Sequence, residues 1–251
     1  MNETTPSGHK KRDAAAWSEP VSTLKVAAVP AGAVNLNVEG RRVVGPVQGF
    51  GPLWQKTFRL RLAGANVTPG EVVQLWKQEF PKLQPRSNRF YPSEAGVEPG
   101  QVVLINAVLL GIPVDTGMLV LFADDTAFTL MTPEGHPESA WITFSAHDDD
   151  GCTVAQIQTM ARANDPVFEI GFRLFGSRAQ ERIWVYVLRE LGARFGVRGV
   201  PVTIRKTCMD PRMQWREMRN VWMNATIRSM IYVILTPVRQ RRIGRRPARR
   251  G

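Results

Sequence analysis

Residues 53–62 alternate between apolar and polar side chains. Trp54, Phe58, Leu60 and Leu62 stand on one side, and Gln55, Thr57, Arg59 and Arg61 on the other. An apolar residue at every second position predicts a strand with one buried face, interrupted once by Lys56. The same period runs through 117–123 and 126–131, on either side of the turn Asp124-Asp125. It returns in 141–147 and 152–160, joined by Asp148-Asp-Asp-Gly151. Asp150-Gly151 can supply the positive φ angles of a tight hairpin. In the first arm Ile142, Phe144 and Ala146 share one face, and Thr143, Ser145 and His147 the other.

Elsewhere the period changes to that of a helix. Phe172, Phe175, Ala179, Ile183, Val187, Leu191 and Phe195 recur at spacings of three and four, and Trp184 and Leu188 widen the stripe. The spacing predicts an amphipathic helix over 167–195, of about seven turns at ~3.6 residues per turn. Asn164-Asp165-Pro166 supplies its start and Gly196 its stop. A second helix is expected at 68–80. Thr68 caps it, Pro69 sits at its first position, Glu71 completes a capping box and Pro81 ends it. Val72, Leu75, Trp76 and Phe80 form its apolar face. A strand, a helix, several strands and a long helix, in that order, predict an α+β fold in which a curved antiparallel sheet wraps around a C-terminal helix.

The chain has 251 residues, 43% of them hydrophobic, so it can bury a sizeable core. We expect a flexible arm over 1–44, where periodicity is weak, and a folded body over 45–197. An apolar helical extension is expected over 198–236 and a disordered Arg-rich tail over 237–251. The first 20 residues are polar, small and charged, unlike a signal peptide, and two Cys imply no disulfide framework. The expected location is therefore cytoplasmic.

Charge is placed unevenly. The whole chain carries +11, and residues 196–251 hold 14 Lys and Arg against two acids, a net +12 that leaves −1 for the other 195 residues. The last stretch contains seven arginines: Arg239, Arg241, Arg242, Arg245, Arg246, Arg249 and Arg250. They suit an anionic surface, either lipid headgroups or, less favoured, nucleic acid; a solvated tail is the alternative. Just before them, Val221 to Leu235 is largely apolar over 15 residues but interrupted by Asn224, Arg228 and Ser229. That is short of the ~20 apolar residues a spanning helix needs. The segment 210–235 is expected to pack on the body, pair with a second copy or lie at a membrane interface.

Much familiar chemistry is missing. There is no nucleophile elbow, phosphate loop or dinucleotide fingerprint, and no cofactor or metal is expected. His147, Asp148, Asp150 and Cys152 match neither zinc nor calcium spacing and read as a polar hairpin tip. The turn Thr132-Pro-Glu-Gly-His-Pro-Glu138 is the most distinctive polar element. Glu134, His136 and Glu138 could form a proton-transfer site there, with the charged form of His136 favoured by the carboxylates. Otherwise the turn is only a shaped connection.

Phe128-Thr-Leu-Met-Thr-Pro-Glu-Gly-His-Pro-Glu-Ser139, Trp141-Ile-Thr-Phe-Ser145 and the 167–195 helix resemble the SRPBCC superfamily of START-related helix-grip proteins. They are similar in particular to a bacterial branch in which a Gly-His-Pro-Glu turn precedes a strand. Gly49-Phe-Gly-Pro-Leu-Trp-Gln-Lys-Thr-Phe-Arg-Leu-Arg61 looks like the first strand of the same group. The resemblance covers about 45–197 and implies a cavity between sheet and long helix that takes a hydrophobic ligand. It carries no catalytic residue across. On that fold Trp54, Phe58, Met131 and Phe144 would face the helix, or their neighbours if the register shifts by one. Phe172, Phe175, Ile183 and Trp184 would face them from the helix. Trp76 and Tyr91 would guard the mouth, and Gln156, Gln158 and His136 would supply polar contacts. The competing reading is that these aromatics fill a dry core.

Three functions follow. The first is binding or transfer of a lipid-like or polyketide-like molecule. The second is a cyclase or dehydratase in the same cavity, with His136 and Glu138 as acid and base. The third is a membrane-surface or nucleic-acid adaptor acting through the basic C-terminus.

Overall fold

The computed structural model describes residues 14–109 and 111–243; the side chains of 109, 175–177 and 237–243 lie outside that description. The elements in chain order are β1 (Val43–Val44), β2 (Leu53–Arg61), α1 (Pro69–Glu79), β3 (Asn88–Tyr91), β4 (Val102–Leu109), β5 (Ile112–Ala123), β6 (Ala127–Pro133), β7 (Glu138–Asp149), β8 (Cys152–Ala163), α2 (Pro166–Gly171), α3 (Ser177–Arg194), β9 (Thr203–Asp210) and α4 (Ala225–Ile243). Among the described residues they form one antiparallel sheet in the order β3-β4-β5-β6-β7-β8-β2-β9, with β1 paired to β6. The sheet bends where β5 is bulged between Val120 and Phe122. The result is an α+β helix-grip architecture.

Local chemistry sets several of these elements as expected. The Thr68 side chain accepts from the Glu71 backbone N–H and the Glu71 carboxylate accepts from the Thr68 N–H, the capping box that starts α1. Asp150 and Gly151 adopt φ of 53° and 73°, closing the β7–β8 hairpin as a mirror-image turn. Asp165 caps α2 by accepting from the backbone N–H groups of Val167 and Phe168. The helix expected over 167–195 is present without a loop, but it is not α-helical throughout. A π-helical turn at Phe172–Gly176 separates α2 from α3.

One face of the sheet packs on α1 and α3. Phe58 and Leu60 of β2, Phe128 and Leu130 of β6, Ile142 and Phe144 of β7 and Ile157 of β8 meet Val72 and Trp76 from α1 and Val187, Leu188 and Leu191 from α3. The other face carries a second cluster, in which Leu24 and Val38 cover Val102, Leu104 and Leu119. The described part of the expected N-terminal arm is therefore layered onto the sheet.

The extension also differs from the expected run of helix. Residues 203–210 form β9, which pairs along β2, and Trp215–Met223 form a 3₁₀ helix before α4 begins. Buried Arg162 of β8 ties this segment down. Its guanidinium donates to the carbonyls of Gly51 and Arg212 and pairs with Asp210 at 2.6 Å. The hydrogen bonds from Arg212, with a further one from Arg162, hold the Asp210 carboxyl well below the usual carboxylate range. The Ser229 hydroxyl of α4 accepts from the Asp115 backbone N–H at 3.0 Å, which seats the start of the helix on β5.

Candidate ligand-binding site

Most of the space between sheet and long helix is filled. Phe128 stacks on Phe144 with ring centroids 4.6 Å apart, and Trp76 meets Phe144 edge-on at 5.3 Å. Phe58, Trp76 and Phe144 are fully buried and belong to the dry core. This places Trp76 inside the molecule and not at a mouth, because α1 lies flat on β7.

Open space survives at the end where β7 begins and the π-helical turn crosses. An inner cleft of about 120 Å³ is lined by Phe90, Ile105, Met118, Phe172, Ile183 and Trp184, with His136, Glu138 and Gln180 among its polar side chains. An outer cleft of about 280 Å³ lies beside it, lined by Trp54, Lys56, Thr159, Arg162, Glu169 and Lys206, and again by Glu138 and Phe172. Glu138 and Phe172 are shared by both clefts, so they form the wall between them.

The polar residues of this wall make one connected set. Lys56 Nζ donates to Gln180 Oε1 at 2.9 Å and lies 3.6 Å from the Glu181 carboxylate. Gln180 in turn donates its amide N–H to Glu138 Oε2 at 2.5 Å. Burial pushes the Glu138 carboxyl above its ordinary pKa, and the Lys56 charge and the Gln180 bond only partly oppose that. A carboxyl so placed holds its proton more tightly than an exposed one and can donate it to a bound polar group. Lys56 was legible in sequence as the break in the β2 alternation. Gln180 carried no signal, because it sits on the flank of the α3 stripe.

The Gly-His-Pro-Glu turn does two different jobs. Its His136 is buried, with Nδ1 2.9 Å from the backbone oxygen and 3.0 Å from the backbone nitrogen of Glu138. Burial lowers its pKa to about 4. The expectation of a readily charged imidazole is corrected: neighbouring carboxylates do not compensate the lost hydration, and His136 is neutral at physiological pH. Glu134 points away to the surface, where it pairs with Arg42 at 2.7 Å. Gly135 receives the C-terminal extension. Its carbonyl accepts from the Ala225 N–H at 2.9 Å, and a Cβ on it would collide with the Met223 carbonyl oxygen.

Of the other residues singled out in sequence, Trp54, Phe172, Ile183 and Trp184 line the clefts. Met131, Gln156 and Gln158 do not. The buried cluster on the helix side takes Leu130, Ala155 and Ile157, and period two turns the adjacent positions to the opposite face. There Gln156 accepts from Arg59 at 2.7 Å. Tyr91 packs against the second cluster with Leu24 and Val38, while its neighbour Phe90 points inward. The side chains of Phe175, Arg239, Arg241 and Arg242 lie outside the described residues, as do Arg245, Arg246, Arg249 and Arg250 altogether. Among the described residues no group of three His, Cys, Asp or Glu is placed to hold a metal ion.

No family model matches the sequence, and no curated protein is similar to it. Similarity appears among solved structures. The di-domain ARO/CYC StfQ from the steffimycin biosynthetic pathway aligns at 14% identity and TM-score 0.46 over 58% of this chain. The match spans 53% of StfQ, so the chain accounts for about half of that protein's length. TTHA0849 from Thermus thermophilus aligns at 16% identity and TM-score 0.45, over 56% of this chain and 96% of its own. The major latex-like protein 151 of Panax ginseng aligns at 13% identity and TM-score 0.38, over 58% and 99%. At such identities the likeness concerns architecture alone.

Proposed function

We propose that this chain is an SRPBCC-like protein that binds a small, largely apolar molecule in the two clefts, with its polar end against Glu138. One observation carries the reading: a half-buried carboxyl with a raised pKa, shared by both clefts, braced by Gln180 and through it by Lys56. Ligand sites are concave and mostly apolar, with a few polar groups that fix orientation. The inner cleft supplies Ile105, Met118 and Trp184 as apolar wall, and Trp54 offers a ring in the outer one. The two volumes together reach about 400 Å³, at the low end of the range of roughly 300–1,000 Å³ for ligand sites. A compact aromatic or polyketide-like molecule fits that space better than a full-length lipid chain.

Native mass spectrometry of freshly purified protein, followed by organic extraction, tests the reading. A stoichiometric apolar passenger is expected, and Ile183→Trp should fill the inner cleft and expel it without unfolding the protein. A wild-type protein that carries no passenger and takes up no small apolar probe would sink the proposal.

Turnover of the bound molecule is a second reading, favoured by the raised pKa of Glu138, which keeps its proton to higher pH than an exposed carboxyl would. Cyclase- or dehydratase-type chemistry would then run through Glu138, with neutral His136 as its backbone-anchored neighbour. Glu138→Gln should abolish turnover while leaving binding intact; undiminished turnover removes the enzymatic reading.

A further inference from the structure

Among the described residues Ser229 is the last buried one of α4, and every position from Met230 to Leu235 is exposed. These six side chains are Met, Ile, Tyr, Val, Ile and Leu, so the helix leaves the body apolar on all sides. Ile234 is 69% exposed. A helix apolar around its circumference is ordinarily covered, and an exposed patch of this kind marks an interaction surface.

The patch continues across α2. Val167 and Phe168 line an apolar groove of about 230 Å³ together with Ile227 and Met230 of α4. Ile170 and Leu174, which follow Val167 at spacings of three and four, are exposed as well. The groove also touches Val114 and Phe172, and both of these line the inner cleft. Those two side chains therefore part the groove from the cleft.

We propose that α4 and the exposed side of α2 form one docking face for an anionic lipid bilayer. An exposed apolar face and the charge of the sequence that follows it choose the occupant. Aliphatic side chains need hydrocarbon, and the arginine-rich sequence that continues from α4 needs anions; an anionic bilayer presents both. A second copy is disfavoured because it would bring two segments of +12 together. Nucleic acid would neutralise the arginines but leave Ile231 and Ile234 in water. No helix among the described residues is long and apolar enough to cross a membrane, so the contact lies in the interface plane. Trp222 and Tyr232, both exposed, suit the headgroup level. One consequence rests on the ligand reading above: docking turns the Phe172 wall toward lipid, and the cleft can exchange its molecule with the bilayer.

Flotation of the full chain with vesicles tests docking without any ligand. Binding is expected to phosphatidylcholine vesicles containing phosphatidylserine, not to phosphatidylcholine alone, and should fall as salt rises. The exposed pair Ile231→Asp/Ile234→Asp should weaken binding by at least about tenfold, as should Arg239→Glu/Arg242→Glu. Ile170→Asp/Leu174→Asp should weaken it too, and if it does not, α2 is outside the docking face and the portal consequence fails. Unchanged thermal melting of these variants shows that the body is intact. Any of three results would overturn docking: no binding to anionic vesicles, binding unaffected by the α4 variants, or a dimer by light scattering that the α4 variants dissolve in place of vesicle binding. An empty cleft in a protein that still floats would count against the ligand reading and leave docking standing.

Discussion

His136 and Glu138, two residues apart, pull stability in opposite directions with pH. The folded pKa of His136 is lowered to about 4 from an ordinary 6.5. Below pH 6.5 the unfolded chain takes up a proton that the folded one refuses until about pH 4, so stability is lost across that window. The loss amounts to roughly 3 kcal/mol at its lower end. Replacement by Gln should flatten it, read as the midpoint of urea unfolding from pH 7 to pH 4. Glu138 has the reverse sign. Its folded pKa is raised, so the ionised form costs stability at neutral pH and the cost vanishes on acidification. Glu138→Gln should therefore raise the unfolding midpoint at pH 7, with the gain shrinking toward pH 4. Gly135 is constrained differently. Its φ is +88° and the Met223 carbonyl fills the place of a Cβ. Gly135→Ala should cost more than about 2 kcal/mol, seen as a lowered Tm, since strain and collision add.

Among elements, the legible ones are those that carry their own punctuation. The capping box marks α1, and Thr68→Ala should cost about 1 kcal/mol in denaturant unfolding. The Asp150-Gly151 turn marks the β7–β8 hairpin in the same way. Strands without a one-sided pattern escaped. β4 reads Val-Val-Leu-Ile-Asn-Ala-Val-Leu, with Val102 and Leu104 buried in one cluster and Val103 and Ile105 in the other. Both of its faces are covered, so no alternation exists to be seen. β9 fails for the opposite reason: all its residues except Asp210 are exposed, and backbone pairing to β2 holds it instead of a buried face. The π-helical turn between α2 and α3 left no mark either, because the apolar stripe runs through it unchanged.

At the scale of the molecule, the C-terminal extension decides more than its composition suggests. β9 covers the edge of β2, which would otherwise offer unpaired N–H and C=O groups. Asn224 donates to the Asp165 carboxylate at 2.9 Å, and Asn220 to the carbonyls of Gln48 and Asn164 at 3.0 Å, joining the extension to the cap of α2. A chain ending at Val197 should therefore melt at lower temperature and elute as oligomers or aggregate in size-exclusion chromatography. A monomer of unchanged Tm would show that the extension is dispensable to the fold.

By itself, the sequence determined the alternating strands, the capped helices and the excess of positive charge at the C-terminus. Each of these is written in local periods and turn chemistry that need no distant partner. Tertiary structure alone decided which face of each strand is inner, so Leu130 and Ile157 replace Met131, Gln156 and Gln158 toward the helix. It also brought Lys56, Glu138 and Gln180 together from three elements, and raised one pKa while lowering another by burial. Burial and long-range juxtaposition depend on where separate elements pack, and no local pattern in the chain encodes that.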